Sequence, residues 1–67
     1  MKVYTFNLVV QYGAGIRLVA ANNRQEARAV SNSVPQYGGV WEIVGLFKGL
    51  TYKTDTPQVI KEVYHIE

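Results

Sequence analysis

The sequence predicts a small α+β domain in which an antiparallel sheet of four or five strands carries one helix on one face. Apolar and polar side chains alternate from Val3 to Tyr12, which is the period of a strand with two distinct faces. A helix start signal follows at Asn23, and a second alternating stretch begins at Val40. The predicted order is therefore β-β-α-β-β, and a further C-terminal strand remains open.

The first element is a β-hairpin over residues 4–21. Gly13-Ala14-Gly15 tolerates the positive φ angles that short hairpin loops need. Because a shift of one residue would scatter the apolar side chains over both faces, we expect a three-residue loop here. That loop gives the pairs Tyr12–Ile16, Val10–Leu18 and Leu8–Ala20 on the core face, and Gln11–Arg17, Val9–Val19 and Asn7–Ala21 on the other face.

A helix is predicted from Arg24 to Asn32. Asn23 is suited to the N-cap position, and Glu26 follows three residues later as in a capping box. Pro35 ends the helical pattern. The side chains expected to face the sheet are Ala27, Val30, Ser31 and Val34, and those expected to face water are Arg24, Gln25, Arg28 and Asn32.

The second half of the chain is predicted to form another hairpin. Its strands run from Val40 to Phe47 and from Leu50 to Thr54, with Lys48-Gly49 as a two-residue turn. The tail from Val59 to Glu67 fits either a strand or a helix. Its β-branched and aromatic content favours a strand.

Size and composition narrow the possible functions. The chain has 67 residues and no cysteine, so residues 1–67 are predicted to form one domain without disulfides or a thiolate zinc site. Such a small core is marginal without very good packing or self-association. The start resembles no signal peptide, and no apolar stretch approaches the ~20 residues of a membrane span. We therefore expect a cytoplasmic protein that does not act in a membrane.

Catalytic residues are not apparent in the sequence. His65 is the only histidine, and neither a nucleophile positioned beside it nor three metal ligands at one site can be recognised. Glu26 is explained by helix capping. The sequence therefore predicts a protein that is not an enzyme and that uses no cofactor and no metal. An enzymatic role would require an active site shared between the subunits of a multimer.

The second face of the sheet is the most informative feature. One helix covers one face, and a solvated face is usually polar, whereas here valines are surrounded by polar side chains, as in a protein interface. We therefore predict a protein-interaction module that binds a second copy of itself, or another protein, through this face. The predicted interface residues are Val3, Val9, Val19, Val44 and Leu46.

A nucleic-acid-binding role is the alternative hypothesis. Single-stranded nucleic acids bind to exposed aromatic rings within a basic groove, and Arg24 and Arg28 lie one helical turn apart on the exposed side of the predicted helix. The formal net charge is only +2, and the basic residues are spread along the chain. The predicted contacts are Arg17, Arg24, Arg28, Tyr37 and Lys53.

The hairpin and the Asn-x-x-Glu-Ala helix start after it resemble the opening of many small accessory proteins of bacteria, phages and mobile elements. This resemblance covers only the hairpin and the beginning of the helix. It implies an accessory protein of that kind and singles out no family.

Overall fold

A computed structural model describes residues 1–66. The strands are β1 (Lys2–Val9), β2 (Gly13–Ala21), β3 (Val40–Thr51) and β4 (Gln58–Ile66), and the helix is α1 (Arg24–Asn32). The predicted α+β class and the β-β-α-β-β order are confirmed. The tail is a strand as far as Ile66, as its β-branched content favours, and Glu67 lies outside the described residues. The sheet formed by residues 1–66 has four strands.

The strands lie in the order β3-β1-β2-β4, and every neighbouring pair is antiparallel. β2 and β3 therefore run in the same direction on either side of β1, and α1 connects them. β3 and β4 occupy opposite edges, so residues 52–57 must cross the end of the sheet where β1 begins and β2 ends. The amide of Tyr52 donates to the Met1 carbonyl at 2.8 Å and extends the β1–β3 pairing at this end.

The hairpin exists, but its predicted register is wrong. β1 pairs with β2 through Leu8–Gly15, Phe6–Arg17 and Tyr4–Val19, among other pairs. The turn lies at residues 10–12, and the glycines belong to β2. Even-numbered residues of β1 therefore share a face with odd-numbered residues of β2, and the two sets of side chains proposed for β2 exchange faces.

Gly15 explains why a glycine lies inside a strand rather than in the loop. A Cβ atom added at Gly15 would lie 2.9 Å from Cη2 of Trp41 and 3.0 Å from the Cβ atoms of Leu8 and Tyr64. These distances leave no room for a side chain. Glycine is needed here because neighbouring side chains approach the backbone closely.

The helix follows its prediction from Arg24 to Asn32. Oδ1 of Asn23 accepts from the Glu26 amide at 2.8 Å, which is the predicted N-cap bond. The Glu26 carboxylate accepts from the Asn22 amide at 2.9 Å instead of completing the capping box at Asn23. Ala27 and Ser31 are buried. Val30 and Val34 are half-buried, and Arg24, Gln25, Arg28 and Asn32 are exposed, as expected.

The predicted turn at Lys48-Gly49 is wrong, because β3 continues through it to Thr51 and pairs with β1 rather than with a following strand. Two neighbouring pairs of these strands are Tyr4–Leu46 and Lys2–Thr51. Between them β1 has one residue, Val3, whereas β3 has four, residues 47–50. The φ angle of Gly49 is 80°, so the glycine that suggested a turn allows an irregularity inside a long edge strand.

The helix covers one face of the sheet, here called the inner face, and the opposite face is called the outer face. The core lies between α1 and the inner face. The buried apolar residues that form it are Tyr4, Phe6, Leu8, Val19, Ala21, Ala27 and Trp41.

Candidate functional site: the outer face of the sheet

A fully buried arginine lies at the centre of the inner face. Nε of Arg17 donates to Oε1 of Glu62 in β4, and Nη2 donates to the Pro35 carbonyl at 2.7 Å. Nη1 donates to the carbonyl of Ser31 at 3.0 Å and to its Oγ at 2.9 Å. Because this side chain is 0% exposed, its charge is compensated entirely by protein groups. Arg17 thereby connects β2, the end of α1 and β4.

Trp41 covers the guanidinium from one side. The Arg17 Cζ atom lies 3.9 Å from the centroid of the Trp41 rings, a cation–π geometry that favours a partly desolvated charge. The indole Nε1 of Trp41 donates to the Gln36 carbonyl at 3.1 Å, and the Gln36 amide group donates to the Ser31 carbonyl at 2.6 Å. Throughout residues 1–66, every buried side-chain nitrogen and oxygen has a hydrogen-bond partner. The polar groups of the inner face therefore satisfy one another.

Tyr37 closes the same network at the sheet edge. Its hydroxyl donates to Oε2 of Glu62 at 2.9 Å, and its ring stacks on Tyr64 with the centroids 4.0 Å apart. The hydrogen bond to Glu62, partial burial and the charge of that carboxylate raise the pKa of the Tyr37 phenol above its ordinary value. Its φ of 57° is rare for a residue with a side chain. These two contacts hold Tyr37 in that conformation.

The predicted nucleic-acid contacts are therefore divided between several environments. Arg17 is buried and paired with Glu62, so its proposed role as a surface contact is wrong. Its assignment to the outer face followed from the wrong hairpin register. Tyr37 is half-buried and stacked, whereas Arg24 and Arg28 are exposed on α1 and Lys53 is exposed in the connection at residues 52–57.

The outer face carries a set of exposed apolar side chains on all four strands. Two rows of residues cross all four strands: Glu42–Asn7–Ile16–Val63 and Gly45–Thr5–Leu18–Lys61. The pair Val9–Val40 lies one row nearer the hairpin. Four apolar residues are each between 51% and 61% exposed. We call them the outer-face patch: Val9, Ile16, Val40 and Val63.

The other end of the outer face is closed by the chain itself. Val3 and Ala20 pair with each other and alternate with the core residues Tyr4 and Val19, so both point to the outer face. Both are nevertheless 0% exposed. The chain therefore covers this end of the outer face, whereas the outer-face patch lies at the end near the hairpin.

The predicted interface residues are distributed in three ways. Val9 lies in the outer-face patch, and Val44 is exposed at the irregularity between the pairs Phe6–Ile43 and Thr5–Gly45. Leu46 is also exposed, but it pairs with the inner-face residue Tyr4, so its assignment to the outer face is wrong. Val3 points to the outer face but is buried. Val19 is in the core beneath α1, so its assignment to the outer face is wrong for the same reason of register.

Sequence reasoning missed Ile16 and Val63 as outer-face residues. Ile16 was expected in the core because the predicted register put it opposite Tyr12. Only the pairing of β2 with β4 reveals the patch, since it aligns Ile16 with Val63. Arg17 could have indicated the correct register. Adjacent residues of a strand point to opposite faces, so placing Arg17 on the inner face places Ile16 on the outer face.

An open groove of about 510 Å³ adjoins the patch at the hairpin end of the sheet, where Ile16, Val63 and Tyr64 form part of its wall. Within residues 1–66, no group of three histidine or acidic side chains is placed to bind a metal ion. No helix in the same residues is long and apolar enough to cross a membrane.

Neither a protein family model, nor a curated protein, nor a solved structure matches this chain.

Proposed function

We propose that this protein is a small non-enzymatic interaction module that self-associates through the open end of the outer face. The observation that carries the proposal is the outer-face patch. Its four side chains lie on adjacent strands, and each exposes more than half of its surface. Removing contiguous apolar surface of this kind from water is favourable by roughly 25 cal/mol per Å².

The composition of the surroundings also supports an interface. Polar and charged side chains, among them Glu42, Asn7, Thr5 and Lys61, lie around the patch and between its members. An apolar centre with a polar rim is typical of protein–protein interfaces. The small core gives self-association a further advantage, because burial between two copies adds to the stability of each.

The inner face supports a structural rather than a catalytic use of its polar groups. Arg17, Glu62, Tyr37 and Ser31 are engaged with one another or with backbone carbonyls. A nucleophile or general base needs a free lone pair near substrate. These groups use their hydrogen-bonding capacity to connect β2, β4 and the end of α1.

The molecular mass in solution tests the proposal. We expect a dimer whose population rises with protein concentration, measured by sedimentation equilibrium. Val9→Lys and Ile16→Lys, each of which adds a charge inside the patch, should shift the protein to monomer because a buried unpaired ammonium group is costly. The far-ultraviolet circular dichroism of both variants should match that of the wild type.

Ala29→Lys is the matched control, since Ala29 is exposed on α1 and therefore on the other side of the molecule. It adds the same charge and should leave the dimer intact. A monomeric wild type at all accessible concentrations would refute the proposal. So would a folded Val9→Lys variant that remains dimeric.

Nucleic-acid binding remains a prediction, but Arg17 is no longer one of its predicted contacts. Arg24 and Arg28 are the exposed pair that it now requires. Binding through them should weaken steeply with salt, because phosphate contacts release counterions, and Arg24→Ala with Arg28→Ala should abolish it. Fluorescence anisotropy with a labelled single-stranded oligonucleotide measures this effect separately from the molecular mass.

A further inference from the structure

The two sheet edges are poorly suited to pairing with another strand. β3 is irregular at two places along its pairing with β1, and β4 is irregular opposite Leu18 and Val19. Bulges and charged residues are the features by which natural sheets block edge-to-edge pairing, and the edges carry both. The outer face is therefore the better contact surface for a second copy.

The two edge strands each carry one charged side chain on the outer face, and the two charges have opposite signs. Glu42 lies in β3 and Lys61 lies in β4, and both are exposed. Their strand positions place both side chains on the outer face, beside Asn7 and Leu18 respectively. Within residues 1–66, neither side chain takes part in an ion pair. The face thus carries one unpaired negative charge at one edge and one unpaired positive charge at the other.

We propose that two copies pack outer face to outer face about a two-fold axis parallel to the strands, so that Glu42 of each copy pairs with Lys61 of the other. This arrangement rests on the proposed self-association and specifies its geometry. Such an axis lays β3 of one copy over β4 of the other, which brings the two unlike charges together twice in each dimer.

A two-fold axis that runs across the strands would give a less favourable arrangement of charges than the axis parallel to the strands. An axis that lies in the interface but runs across the strands lays β3 over β3. Glu42 then approaches Glu42 of the second copy, while the lysines remain unpaired. Like charges juxtaposed across an interface disfavour that arrangement, so the charges of the outer face select the axis parallel to the strands.

The required distances suit these side chains. Glu42 and Val63 lie in the same row, so the proposed axis places Glu42 of one copy above Val63 of the other. Lys61 is two residues from Val63 along β4, or about 7 Å. Packed sheets lie about 10 Å apart. An extended lysine reaching diagonally toward a glutamate spans this separation.

A charge exchange tests the arrangement by sedimentation equilibrium. Glu42→Lys alone and Lys61→Glu alone should each weaken the dimer by about tenfold, because two exposed ion pairs become two repulsive pairs. The double exchange, Glu42→Lys with Lys61→Glu, should restore the dissociation constant to within about twofold of the wild type. An equimolar mixture of the two single variants should also associate more tightly than either variant alone.

The outcomes separate this inference from the proposed function. If the wild type is dimeric and Val9→Lys disrupts it, but the double exchange is no tighter than the single variants, self-association stands and the arrangement is refuted. Unchanged dimers in both single variants would refute the arrangement as well. A monomeric wild type would overturn both proposals. Circular dichroism of each variant ensures that only folded proteins are compared.

Discussion

The inner face of the sheet buries a charge, whereas the outer face exposes hydrocarbon. Arg17 is fully buried on the inner face, and its donors are paired with Glu62, Ser31 and Pro35. Val40 and Val63 are 61% exposed on the outer face. The difference shows that apolar character alone does not decide which face of a small sheet becomes the core. The helix and the following loop cover the inner face, and together with Glu62 of β4 they supply the partners that an arginine needs there.

Removing the buried charge should have the largest effect on this contrast. Arg17→Met leaves Glu62 without its cation, and the Pro35 carbonyl and the Ser31 hydroxyl without the Arg17 donor, and we expect a loss of about 3 kcal/mol in the free energy of unfolding. Urea denaturation measures this loss. Arg24→Met, at an exposed position, should change the free energy by less than about 0.5 kcal/mol. Equal effects of the two substitutions would contradict the role given to Arg17.

Crowding the inner face should have the next largest effect. Gly15→Ala places a methyl group against Trp41, Leu8 and Tyr64, and we expect it to cost about 1–3 kcal/mol in the free energy of unfolding. The same substitution combined with Trp41→Phe should cost less, because the nearest atom is then absent. A double-mutant cycle by urea denaturation measures this coupling. Additive effects would show that Trp41 does not require a glycine at this position.

Weakening the element that covers the inner face should have a smaller effect. Asn23→Ala removes the side-chain acceptor for the Glu26 amide and should cost about 1 kcal/mol in the free energy of unfolding. Asn32→Ala, at the other end of α1, serves as the control because no cap bond is lost there. Thermal unfolding followed by circular dichroism compares the two. If both variants melt alike, the N-cap bond contributes nothing measurable.

The smallest expected effect is a loss of stability at alkaline pH, when Tyr37 at the edge of the inner face is deprotonated. The pKa of Tyr37 is raised in the folded state, so the folded protein holds this proton more tightly than the unfolded chain does. The resulting stabilisation is present below the unfolded pKa of about 10 and is lost as the pH rises through the folded value. The difference in urea midpoint between the wild type and Tyr37→Phe should therefore become less favourable to the wild type above pH 10. A constant difference would contradict this linkage.

The helix and the element order were predictable because their signals are local. Asn23, Glu26 and Pro35 define the helix through neighbouring backbone groups, and the alternation in β1 and β3 defines strands without reference to their partners. The tail favoured a strand through its residue types alone.

The register and the buried arginine were not predictable in the same way. Both faces of β2 are apolar, with Ile16 and Leu18 on one and Val19 and Ala21 on the other. Hydrophobic periodicity therefore cannot choose between them. Arg17 was assigned to water because its compensating carboxylate, Glu62, lies 45 residues away in the sequence. The outer-face patch was only partly predicted for the same reason, since Ile16 moves with Arg17.

The separation between Arg17 and Glu62 has a consequence for the synthesis of the chain. A ribosome produces β1, β2, α1 and β3 before it reaches Glu62, so the nascent sheet contains a cation whose counter-ion has not yet been made. β2 also lacks its second neighbouring strand in the sheet until β4 has been synthesised. The closing step of folding therefore waits for the synthesis of β4, and Arg17 must stay hydrated until then.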